Sequence, residues 1–209
     1  MNPSSARLAL GLTLAWLVAP GLAAADDTVS GEKLAYTCHG CHGIPDYKNA
    51  FPVYSVPKLG GQHAAYLLVA LKAYASEERP HPTMHAQAST LSADSMEAIA
   101  RFMSGEELKP SGHAIGSAPK ASQTCVACHG TDGIATVAEY PNLAGQHPDY
   151  LEHALRAYRS GQRKNAVMAG MASALTDEDI DELADYYGRQ QPGLCSTKDI
   201  REVGKCAGH

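Results

Sequence analysis

The sequence predicts an all-α protein built as two tandem homologous domains, and three observations carry that prediction. A block of eighteen residues, Pro57 to Tyr74, returns as Pro141 to Tyr158 at an offset of 84 with eleven identities. Within each copy the apolar residues recur at helical spacing, as at Tyr66, Leu67, Ala70, Leu71 and Tyr74. No segment shows the alternation of apolar and polar residues that a half-buried strand requires. The same offset pairs Met84 with Met168, Leu91-Ser92 with Leu175-Thr176, and Phe102 with Tyr186. A repeated domain is the simplest source of such self-similarity.

Taken in order, the chain opens with Arg7, an apolar run from Leu8 to Val18 and the small residues Ala23 to Ala25. That pattern predicts a signal peptide over 1–25, cleaved before Asp26, because the apolar run falls short of the roughly 17 to 20 residues that span a bilayer. The mature chain is therefore expected in the periplasm, soluble or peripherally attached. It divides into an N-terminal domain over 26–106, a linker over 107–119, a C-terminal domain over 120–191 and a tail over 192–209.

Each domain is expected to hold three helices. The first begins near Ser30 or Ser117. The second covers about 63–76 and 148–160. The third opens at Ser92 or Thr176, where Thr176-x-x-Asp179 fits a capping box, and Ile180, Leu183, Ala184 and Tyr187 share one side of it. Two prolines and three glycines between Gly105 and Lys120 mark the linker.

The chemistry lies in a pentapeptide present twice, Cys38-His39-Gly40-Cys41-His42 and Cys125-Val126-Ala127-Cys128-His129. Cys-x-x-Cys-His is the attachment signature of c-type haem: two thiols form thioethers to the vinyl groups and the histidine becomes the proximal iron ligand. Two covalent haem c groups are the cofactors this predicts, a zinc or thioredoxin-like site being the competing use of such cysteines. The two motifs are offset by 87, so the first half carries three extra residues between His42 and Pro57. Cys195 and Cys206 remain. In an exported chain they are expected to pair as a disulfide, the alternatives being a redox-active thiol or an axial ligand. A formal charge of −5 argues against nucleic acid and anionic lipid as partners, and for a redox protein with a neutral or basic docking patch.

With these features assembled, the chain resembles the cytochrome c4 family, dihaem electron carriers made of two class I cytochrome c domains. The resemblance rests on both haem motifs, on Pro-x-Leu-x-Gly-Gln-His with Tyr-Leu, and on Met-x-x-x-Ala-x-x-Leu-[ST]; it covers the mature chain except the tail. It implies His42 and His129 as proximal ligands, Met84 and Met168 as distal ones, and Pro57 and Pro141 as acceptors of a hydrogen bond from the proximal imidazoles. A neutral thioether favours ferrous iron and raises the reduction potential. Met171 competes with Met168, but its counterpart is Gln87. His85 competes with Met84. His63 and His147 read as helix-start or surface residues, and His39 as solvent-facing.

Closed His/Met coordination leaves no position for substrate. It implies an electron-transfer protein rather than an enzyme, passing single electrons between a respiratory donor and a terminal oxidase or reductase, with no small-molecule substrate. The alternatives are a cytochrome subunit of a periplasmic dehydrogenase, such as a sulfur-oxidising flavoprotein, and a dihaem enzyme of the peroxidase or thiosulfate dehydrogenase type, which would need an open axial site.

Overall fold

Two helical cores form side by side, each from the residues that the repeat duplicates. The structure is a computed structural model that describes residues 30–196, 199–202 and 205–206. The expected signal peptide lies outside the described residues. In the first half α1 (Gly31–Leu34) and α2 (Tyr36–His42) lead into a long loop, followed by α3 (Ala64–Ala75), α4 (Pro82–Ala88) and α5 (Ala93–Ser104). The second half runs through a 3-10 turn (Lys120–Thr124), α6 (Val126–His129), α7 (Pro148–Arg159), α8 (Ala166–Ala172) and α9 (Asp177–Gly188). Among the described residues only isolated β-bridges occur, Lys48 with Ser55 and Gly60 with Cys195.

The helices start where side chains can satisfy free backbone donors. Ser30 and Ser92 cap α1 and α5, and Thr176 with Asp179 completes a reciprocal capping box on α9. α3 packs on α5 and α7 on α9. Leu67, Ile99, Ala100 and Met103 are buried in the first core, and their counterparts at the offset of 84, Leu151, Leu183, Ala184 and Tyr187, in the second. α1 also crosses α5 closely: a Cβ on Gly31 would stand 2.4 Å from the Ala98 carbonyl oxygen, so only glycine fits there.

Three features depart from expectation. The segment after Ser117 begins as a 3-10 turn behind Pro119 rather than an α-helix capped by Ser117. The residues around Met84 and Met168 form two further helices, too short at seven residues for apolar periodicity to register. The segment between Ser104 and Lys120 carries no helix, yet it is pinned to the second half. Asp132 accepts from Ser111 N–H at 2.7 Å, and the Gln190 amide bonds both N–H and C=O of Ile115, at 2.7 and 3.0 Å.

Candidate haem-binding sites

α2 and α6 each end at the motif histidine, and a loop brings a proline carbonyl back onto its ring. His42 Nδ1–H donates to Pro57 O at 2.9 Å, and His129 Nδ1–H donates to Pro141 O at 2.9 Å. A carbonyl can only accept, so Nδ1 carries the proton and Nε2 keeps the lone pair that a metal ligand needs. Burial holds the pKa of both imidazoles below the usual histidine range, partly opposed by the proline carbonyls, and so keeps them neutral. The four motif cysteines are free, half-buried thiols. Burial pushes the Cys38 and Cys125 thiols up, so they remain protonated. Among the described residues no cluster of three or more His, Cys, Asp or Glu offers a zinc-type site.

Met84 and Met168 sit half-buried near the starts of α4 and α8. Each backbone N–H is held by the helix cap, Met84 by His81 Nδ1 at 3.2 Å and Met168 by Asn165 Oδ1 at 3.0 Å. Met171 lies on the solvent side at 47 % exposure. His85 donates from Nδ1 to the Tyr74 carbonyl at 3.0 Å. His63 and His147 precede α3 and α7. His63 is not a surface residue: it is buried, with Nε2 on the Ala135 carbonyl of the other half at 3.0 Å. His39 is half-buried rather than solvent-facing.

The loop that carries the three extra residues leaves the Pro57 contact at the same length as its counterpart. It folds back on itself, with Val56 N–H on the Tyr47 carbonyl at 2.7 Å. From there it leans on α7. Asp149 accepts from Ser55 N–H at 3.0 Å, Ser55 Oγ at 2.9 Å and Lys48 Nζ at 3.3 Å, and the Tyr54 ring stacks on His153 at 4.1 Å.

The halves meet through reciprocal bonds that reading the sequence for haem ligands does not reveal. The Gln62 amide bonds both N–H and C=O of Asn142, at 2.8 and 3.0 Å, and the Gln146 amide bonds both N–H and C=O of Lys58, at 2.9 and 3.0 Å. Asn142 Nδ2 donates to Gly61 O at 2.8 Å and Lys58 Nζ to Gly145 O at 2.6 Å. Arg79 and Arg163 repeat the pattern. Each guanidinium lies 4.4 Å over a tyrosine ring of its own half, Tyr74 or Tyr158, and donates across the interface to Tyr150 or Tyr66 hydroxyl. Both arginines are more than nine-tenths buried, and among the described residues neither forms an ion pair with Asp or Glu. The signal was available, since Arg79 and Arg163 also stand 84 apart.

In the tail, Cys195 and Cys206 are joined as a disulfide. No helix among the described residues is long and apolar enough to cross a membrane.

Comparisons with known proteins agree with this architecture. The cytochrome c family pattern matches residues 116–187. The thiosulfate dehydrogenase electron acceptor of Stutzerimonas stutzeri is 32 % identical over 181 residues, 76 % of this chain and 82 % of that protein. Cytochrome c4 of Azotobacter vinelandii is 29 % identical over 86 % of this chain and 93 % of its own. The structure of reduced recombinant cytochrome c4 from Pseudomonas stutzeri superposes with a TM-score of 0.59 at 26 % identity, over 79 % of this chain and 97 % of that one. Two cytochrome c units in tandem, each ending a helix on Cys-x-x-Cys-His and joined crosswise, place this chain in the dihaem cytochrome c4 family of electron-transfer proteins with covalently bound haem c.

Proposed function

We propose that this protein shuttles single electrons in the periplasm between a dehydrogenase or other respiratory donor and a terminal oxidase or reductase, and is not itself a catalyst. The observation that carries the proposal is the matched site in each half: an imidazole fixed as its Nε2 lone-pair tautomer by a proline carbonyl, with a capped methionine 84 residues from its counterpart. Bound haem supplies a one-electron ferric/ferrous couple. The chain supplies everything else. Cys38, Cys41, Cys125 and Cys128 would hold the haem covalently, each thiol adding its sulfur and hydrogen across a vinyl group. His42 and His129 would hold the iron through Nε2, and Met84 and Met168 would offer a thioether to it. Arg79 and Arg163, buried cations without a carboxylate partner among the described residues, would suit the haem carboxylates.

The domain limits proposed are 26–106 and 120–191, with 107–119 as linker and 192–209 as tail. The role named for the Stutzerimonas relative supports a dehydrogenase as the donor, and so also favours a second reading, a cytochrome subunit that stays bound to such an enzyme.

An optical titration of the haem-loaded protein tests the proposal. A ferric methionine-to-iron charge-transfer band of two-haem intensity, with no carbon monoxide shift after reduction, is expected. A missing band or ready carbon monoxide binding would open an axial site and bring an enzymatic role forward. Met168→His is expected to lower the potential of the second haem alone, and two unchanged potentials would remove Met168 as a ligand.

A further inference from the structure

The tail, which the first half lacks, touches matching points of both repeats. Leu194 N–H donates to the Ala144 carbonyl at 2.8 Å; Cys195 N–H donates to the Gly60 carbonyl at 3.0 Å, and Gly60 N–H returns to the Cys195 carbonyl at 3.1 Å. Gly60 and Ala144 are 84 residues apart, and each lies three residues after the proline that receives a histidine N–H. The approach is tight. Gly145 has φ +70°, and a Cβ on it would stand 2.9 Å from the Gly193 Cα. Leu194 is only 3 % exposed, and the disulfide to Cys206 closes the strand just beyond it.

We infer that the tail is a clamp that positions both proximal histidines, by anchoring Gly60 and Ala144, and thereby sets the two reduction potentials together. The inter-half glutamines already hold Lys58 and Asn142, Gly61 N–H is held by the Ser104 carbonyl and Leu143 and Ala144 N–H by the Gly133 carbonyl, and the tail is the anchor that reaches both proline segments at once. With the tail in place beside these bonds the proline carbonyl stays on Nδ1–H. A firm bond there makes the imidazole a more basic ligand and favours ferric iron. Slackening it raises the potential.

The inference rests on His42 and His129 being the proximal ligands. Its test uses the haem-loaded protein, comparing the parent with a chain ending at Gly193 and with Cys195→Ser/Cys206→Ser, which keeps the tail backbone and decides alone if the shortened chain fails to fold. Two quantities are read: each midpoint potential, and the solvent exchange of the haem-bound imidazole Nδ1–H protons by NMR. Both potentials are expected to rise together with faster exchange in both halves, and by less in the double serine variant. Unchanged potentials with a lowered melting temperature, or a shift confined to one haem, would overturn the clamp. A parent lacking haem-bound imidazole Nδ1–H signals would instead overturn the ligand assignment, and the clamp with it, whatever the variants do.

Discussion

Asp149 carries the contact between the inserted loop and α7, with three donors on one carboxylate oxygen. Burial alone would raise its pKa, but the Ser55 hydroxyl and N–H, together with Lys48, hold it below the usual carboxylate range. A carboxylate with a depressed folded pKa stabilises the fold above its unfolded pKa of about 4, and that contribution is lost as pH falls through the folded value. Asp149→Ala is therefore expected to cost about 1 kcal/mol at pH 7, allowing for the partial exposure of the carboxylate. The gap from the parent should close in acid, and guanidinium titrations at neutral and acid pH would show whether it does. The motif cysteines and histidines were legible in the sequence because thioether and iron chemistry fix their spacing. Gln62 and Gln146 were not, although both stood inside the repeated block. Their partners are backbone groups 80 and 88 residues away, and side-chain identity does not name such a partner.

At the level of elements, α4 and α8 depend on their caps. A helix of seven residues has too few internal bonds to hold itself, so the bond from Met168 N–H to Asn165 fixes the turn that bears the thioether. Asn165→Ala is expected to cost about 1 kcal/mol. It should also weaken the ferric methionine band of the second haem on warming while leaving the first unchanged; equal loss from both haems would mean that the cap does not act locally. Thr176→Ala offers a contrast. It breaks the capping box of α9 and should lower the thermal midpoint by a similar free energy with no spectral change, since α9 bears no proposed ligand. The long helices were legible from their periodicity and caps. The departure at Ser117 follows from Pro119, which supplies no N–H and leaves the chain to enter through a 3-10 turn.

At the scale of the molecule, two cores share one interface crossed by reciprocal polar bonds and by ring contacts. Gln62 is 4 % exposed, and its amide is the partner of both Asn142 backbone groups. Gln62→Leu would strand those groups away from water at a cost of about 1–3 kcal/mol each. Gln62→Leu combined with Gln146→Leu is expected to split unfolding into two calorimetric transitions, one per half; a single transition would show that the tail and the buried arginines suffice to couple the cores. The fold class and the repeat were legible because helical spacing is local and self-similarity needs no structure. The interface was not, because it depends on which faces of the two copies meet. Every glutamine bond across it ends on backbone, and each has its mirror 84 residues on, so none depends on the side chain at the receiving position. Such self-complementarity is what a symmetric dimer requires of its subunit. A single copy of this unit could close on a second by the same bonds, and joining two genes end to end would then have made a concentration-dependent pairing permanent.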